Sequence, residues 1–326
     1  MGLLARCPVA WRNLGWSWLA LLLLLFTGAA VLQVLGPVVR PVLLAVPSAP
    51  ALAAKTAWDG RIAEPVAALL EVSRAFPLAS LPRIAADGRL PRLAYRRPTS
   101  PSDARPRIAL VLGGIGLSTA DSRAAIDTLP SAVTLAFSAY TPSPETLMEA
   151  ARAGGHEVLA SLPMEASGYP WNDAGPHSLL TGKTPLQNRE NLEWAMGRLQ
   201  GYVGVTGASD GLRGERFAEQ SSSFGLVLDE VARRGLLYID PRPGAPPPRH
   251  AGRSVDVVVD DPATRADIEA KLATLERIAR ERGSALGLAG PLRPVTIERI
   301  AAWSRDVEAR GYELVPVSAL VTEPAP

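Results

Sequence analysis

Apolar and polar positions divide the 326-residue chain into three unlike stretches. From Leu14 to Leu35 the sequence is apolar almost without interruption, LGWSWLALLLLLFTGAAVLQVL. At 1.5 Å per residue this run spans roughly 33 Å as a helix, enough to cross a bilayer core. Arg6 and Arg12 precede it, and no acidic residue occurs before Asp59. The charge bias predicts a cytoplasmic N-terminus with the bulk of the chain on the other side. Trp11, Trp16 and Trp18 suit an interfacial belt. A cleaved signal segment is the alternative, with small residues at Thr27-Gly28-Ala29-Ala30. Residues 1–36 are therefore expected to form a membrane anchor or signal segment.

Residues 37–106 are rich in Pro, Ala and Arg. Gly36-Pro37 and Pro41 stop a helix, and prolines recur every few residues from Pro77 to Pro106. Ala57 to Ala75 holds one short amphipathic pattern compatible with a helix. The expectation is an extended linker that spaces a domain from the membrane.

From residue 107 to 320 the pattern changes to alternating strands and helices, which predicts one α/β domain. Strands are expected at Ile108–Leu112, Ala132–Phe137, His156–Leu162, Val203–Val205, Leu236–Asp240, Val255–Val259, Ala285–Leu288 and Glu313–Val317. Helices are expected at Thr119–Leu129, Ser143–Ala153, Thr184–Leu199, Ser222–Arg234, Pro262–Arg282 and Val295–Arg310. Ser143-Pro144-Glu145 is a helix start and Gly154-Gly155 a stop. The count favours a closed or nearly closed barrel, with an open doubly wound sheet as the alternative. Residues 321–326 are a short tail.

Composition narrows the function classes. Lys+Arg (34) nearly balances Asp+Glu (32), and no basic block is interleaved with aromatics, so a nucleic-acid surface is not indicated. Cys7 is the single cysteine and can form neither an internal disulfide nor a Cys-based zinc site. Three histidines, His156, His177 and His250, leave little material for a His-rich metal centre or a His-based triad.

The first strand runs into Gly113-Gly114-Ile115-Gly116, where an α/β enzyme would carry a catalytic or metal-binding acid. A dinucleotide fingerprint fits poorly. Counting from Gly114, its last position is Thr119, and the second strand ends in Phe137-Ser138-Ala139-Tyr140 without an acid.

The order and spacing of several stretches carry a resemblance. They include Ile108-Ala109-Leu110-Val111-Leu112, Gly154-Gly155-His156-Glu157-Val158-Leu159, Leu162-Pro163-Met164-Glu165, Leu179-Leu180-Thr181-Gly182 and Leu237-Tyr238-Ile239-Asp240. Residues 107–320 resemble the divergent polysaccharide deacetylase family, carbohydrate esterases with a distorted seven-stranded (β/α) barrel. The resemblance implies zinc-assisted removal of acetyl groups from amino sugars. It also implies ligands that this chain lacks. Gly113 and Gly114 stand where the family has two aspartates, and Ser161 where it has a histidine. Ala208, within Thr206-Gly207-Ala208-Ser209-Asp210, stands at a second imidazole position. Ala289-Gly290-Pro291 replaces Gly-His-Pro. A catalytic zinc normally takes three protein ligands, so no zinc and no catalytic residue are expected.

The polar residues that remain are groove or ligand candidates. Asp240 and Arg242 end the fifth strand, where they either line the groove or pair with each other. Glu165 either accepts a sugar hydroxyl or satisfies donors of its own turn. Asp210 could approach the old metal position. Trp171 and Asn172 lie in a loop that could stack a sugar ring. His156 reads as structural, and His250 as solvated. The resulting expectation is a catalytically degenerate protein of the cell envelope, held in the inner membrane by one helix with its domain on the periplasmic side. It would bind a glycan of the peptidoglycan type or a protein partner. The alternative is an active deacetylase of N-acetylated amino sugars with a rebuilt site; a dinucleotide-binding domain is a minor one.

Overall fold

The computed structural model describes residues 58–99 and 105–321. The apolar run Leu14–Leu35, the start of the expected linker and the end of the tail lie outside them. Among the described residues no helix is long and apolar enough to cross a membrane.

Two short strands, β1 (Leu70–Val72) and β2 (Ser80–Pro82), form an antiparallel hairpin, followed by one helical turn, α1 (Pro91–Ala94). Nine further strands make one parallel sheet: β3 (Arg107–Ile115), β4 (Thr134–Ser138), β5 (Val158–Ser161), β6 (Gly204–Thr206), β7 (Leu237–Asp240), β8 (Gly252–Ser254), β9 (Val257–Val258), β10 (Ser284–Ala289) and β11 (Glu313–Leu314). The helices between them are α2 (Thr119–Thr128), α3 (Glu145–Ala153), α4 (Pro185–Met196), α5 (Glu215–Glu219), α6 (Ser221–Arg233), α7 (Arg265–Arg282) and α8 (Pro294–Asp306).

The strand order is β8-β7-β6-β5-β4-β3-β10-β9, with β11 sharing the start of β3. Only Val255 and Asp256 separate β8 from β9. The Val255 amide donates to Asp240 of β7 (2.9 Å), and the Asp256 amide to Leu286 of β10 (2.8 Å). One run of chain thus pairs with β7 at its start and with β10 at its end, and the sheet curls into a β/α barrel-like form.

Burial on both faces explains why β3 reads as a continuous apolar run. Ile108, Leu110 and Leu112 pack in the layer that faces the helices. Ala109 and Val111 point the other way and join Ala136, Leu159, Leu286 and Leu288 inside the curl. Helix starts follow local chemistry. Thr184 and Gln187 form a reciprocal capping box with Pro185 in the first turn of α4, and the Thr264 hydroxyl accepts the Asp267 amide at the head of α7.

The expected extended linker does not hold for 58–99. Ile62, Leu69, Ala85 and Tyr95 of this stretch are buried in the same inner cluster as Ala109 and Val111, together with Val315, Val317 and Leu320. The segment closes the floor of the curled sheet, at the N-terminal ends of the strands. Its prolines sit at turning points, such as Pro82 at the end of β2 and Pro91 at the head of α1. Its apolar residues are too sparse for a core of their own, yet Ile62, Leu69, Leu81, Ala85 and Tyr95 find the barrel, while Val72 and Leu78 stay exposed.

Candidate functional site

At the C-terminal ends of the strands, the ends of β3 and β10 press backbone against backbone. Gly114 has φ +76°, and a Cβ there would stand 3.2 Å from the Leu292 amide nitrogen. A Cβ on Gly290, at φ +138°, would stand 3.1 Å from Gly113 Cα. An aspartate at 114 or an imidazole at 290 would have to displace main chain. The Gly113–Gly116 cluster does not cradle a phosphate either: the Gly116 amide donates to the Ser122 hydroxyl at 2.8 Å.

The segment after β6 covers what remains. Ser209 and Leu212 exchange backbone hydrogen bonds of 2.9 Å around Asp210 and Gly211, which both have positive φ. Asp-Gly in that conformation is a two-residue hairpin turn of the primed kind. A Cβ on Gly211 would lie 3.0 Å from Pro291, so the turn rests on the loop after β10. The cavity left among Gly113, Ala208, Arg213, Leu288 and Gly290 is about 10 Å³, room for roughly one water.

Each expected site residue has a definite place. Asp210 is the exposed tip of this turn rather than a ligand aimed inward. Glu165, only 3 % exposed, accepts the Thr181 amide and hydroxyl (2.5 and 2.8 Å) and an ion-pair bond from Arg216 Nε (2.9 Å). Its carboxylate ties the loop after β5 to α5, with both oxygens engaged inside the protein. Buried Asp240 takes Arg242 in a bidentate pair, Nε to Oδ1 at 2.9 Å and Nη2 to Oδ2 at 2.7 Å, and also accepts the Arg242 amide. The bond to Asp240 raises the Arg242 pKa, and the guanidinium lies over the Phe224 ring.

Trp171 is 93 % exposed, and Asn172 Nδ2 donates to the Ser167 carbonyl at 2.8 Å. Their loop is anchored by aromatics that sequence reading did not assemble. His177 stacks on Trp194 with centroids 3.8 Å apart, and its amide donates to the Tyr140 hydroxyl at 3.0 Å. His156 lies below, its ring nitrogens facing the carbonyls of Val133 and Ile126 (2.8 and 3.2 Å); burial lowers its pKa. His250 is exposed and meets Asp229 at 2.8 Å. The structure therefore does not gather Asp210, Asp240 and Glu165 into one constellation.

One residue was missed. Buried Asp260 follows β9 at the mouth, where its Oδ2 accepts the Gly290 amide (3.0 Å) and the Thr296 hydroxyl (3.2 Å). Its Oδ1 is buried without a hydrogen-bond partner, and burial raises the carboxyl pKa. An acid directly after an apolar strand, Val257-Val258-Val259-Asp260, was the available signal.

The sequence model of the family described as divergent polysaccharide deacetylase matches residues 110–321. The chain belongs to the divergent polysaccharide deacetylase family. The crystal structure of an uncharacterized protein from Agrobacterium tumefaciens resembles this barrel with 38 % identity and a TM-score of 0.69, over 75 % of this chain and all of that one. An uncharacterized protein of Haemophilus influenzae is 23 % identical over 218 residues, 64 % of this chain and 75 % of its own. The catalytic domain of a peptidoglycan N-acetylglucosamine deacetylase from Eubacterium rectale aligns at 13 % identity and TM-score 0.46, over 72 % and 98 % of the two chains.

Zinc chemistry by resemblance would need donors at the mouth of this deacetylase-family barrel. The residues present do not fit it. Gly113, Gly114, Ala208 and Gly290 offer no side-chain donor, and Asp240, Glu165 and Asp260 each serve a different bond set. Among the described residues no three of His, Cys, Asp and Glu are grouped to hold an ion.

Proposed function

We propose that this protein is a non-hydrolytic member of the divergent polysaccharide deacetylase family that binds an N-acetylated amino-sugar glycan at the envelope. The observation that carries the reading is the filled mouth. The space that a water, an acyl group and their donors would occupy is taken by the Asp210-Gly211 turn and by glycine backbone, leaving about 10 Å³. A glycan would then lie across the outer rim, on the exposed ring of Trp171, whose loop is pinned by Tyr140, His177 and Trp194. Aromatic faces suit the apolar faces of sugar rings. In this reading Leu14–Leu35 holds the chain in the inner membrane, and the domain works on the periplasmic side.

The test uses the full chain with oligomers of N-acetylglucosamine. Calorimetry reads binding, elemental analysis reads zinc, and release of acetate reads turnover. Binding without turnover, weakened about tenfold by Trp171→Ala, supports the proposal. Turnover overturns it in favour of a rebuilt site, for which the unpartnered Asp260 Oδ1 is the first residue to change. No binding to any oligomer overturns the glycan assignment.

A further inference from the structure

Away from the mouth, the flank made by α4 and α6 carries an open groove. Its apolar lobe, about 500 Å³, lies between Leu186 and Leu192 of α4 and Leu226 and Val227 of α6. Leu192 and Val227 form the buried floor, while Leu186 (66 % exposed) and Leu226 (57 %) stand at its sides. Arg189 and Arg233 also border a second lobe of about 370 Å³, reached by Arg74 and Glu71 of the β1–β2 region.

The acids around the second lobe are already engaged. Glu230 pairs with Arg233 and Arg234, Glu71 pairs with Arg234, and Glu193 accepts the Ser73 hydroxyl. Arg74 and Arg189 are exposed and make no ion pair or hydrogen bond among the described residues. Glu193 keeps its charge beside Arg74 and Arg189, so Arg74, Arg189, Arg233 and Arg234 against Glu71, Glu193 and Glu230 leave one net positive charge next to an uncovered apolar strip.

We propose that this groove docks an amphipathic helix of another protein, with its apolar face on Leu186 and Leu226 and its acidic residues against Arg74 and Arg189. Two helices with a furrow between them are a recurrent receptor for a third. From Ser223 to Arg233 the furrow runs roughly 15 Å along α6, about three turns of a docked helix. The charge must come from outside the N-terminal part of this chain, since no Asp or Glu precedes Asp59. Complementary charge then sets register and partner choice.

A photo-activatable side chain placed at Leu226, and separately at Leu186, of the full chain in its native cells tests this, with the cross-linked segment identified by mass spectrometry. The expected product is a segment of one protein with helix-periodic apolar residues and Asp or Glu on the adjoining face. Arg74→Glu with Arg189→Glu lowers the yield at least tenfold with thermal unfolding unchanged, and lysines in place of the partner's acids restore it. Cross-links solely to lipid, to a second copy of this chain or to a neutral or basic segment overturn the proposal. So does a yield that survives charge reversal, or no cross-link at either position.

Discussion

Gly113 and Gly290 meet main chain to main chain where β3 and β10 end, with 3.1 Å between Gly113 Cα and the point where a Gly290 Cβ would sit. Placing at 290 the imidazole that the family resemblance implies, by Gly290→His, forces a left-handed residue and a backbone clash together. The expected cost is about 3 kcal/mol, read as a lower denaturation midpoint, with no gain of bound zinc. A stable, zinc-loaded Gly290→His variant would mean that the mouth opens easily.

The two residues of the turn over the mouth respond oppositely. Asp210→Asn keeps a side chain that tolerates positive φ, and stability is expected to stay within about 0.5 kcal/mol. Gly211→Ala puts a methyl group at φ +84° against Pro291 and is expected to cost about 1–2 kcal/mol. Urea unfolding of the pair separates a turn former from a ligand.

Glu165 is expected to matter for folding rather than for ligand. Glu165→Ala leaves the Thr181 amide without its acceptor and costs about 2–3 kcal/mol. Arg216 is more than half exposed, so its share of that loss is small. Glycan affinity, measured below the melting range, is expected to change less than twofold.

Glu157 sets a pH dependence. Burial pushes its carboxyl from the ordinary 4.5 up to about 6, against the amides of Arg97 and Ser318 and the Ser318 hydroxyl, which favour the charged form. The folded state thus holds this proton more tightly than the unfolded chain does. The contribution is complete below pH 4.5 and is lost as pH rises through about 6, roughly 2 kcal/mol in all. Asp260, also raised by burial, acts in the same direction. Melting temperatures across pH 4–7 are expected to show a flatter profile for Glu157→Gln.

Most of the barrel could be read from the chain because its central strands are buried on both faces and Ser118, Thr184 and Thr264 cap three of its helices. Gly113, Gly114, Ser161, Ala208 and Gly290 are the positions that the family resemblance pairs with metal ligands, and the sequence shows directly that none of them carries a carboxylate or an imidazole. What did not show is how the vacated space is used. Asp210 read as a carboxylate, although Asp-Gly is first a turn signal. The five residues of α5 are too few to display a helical period, so the partner of Glu165 went unseen. Asp240 and Arg242 could be placed but not paired, because two residues apart they can point together or apart. The stretch 58–99 read as a tether because prolines recur through it and its buried residues, Leu69, Leu81 and Tyr95, follow no common period.

That stretch changes how the protein can be taken apart. The family match begins at residue 110, but the stopper of the barrel is made earlier, by Leu69 and Tyr95. Any dissection that starts at the first long strand removes Ile62, Leu69, Ala85 and Tyr95 from the inner cluster that holds Ala109, Val111 and Val315. The smallest piece expected to stay in solution reaches back to about Trp58.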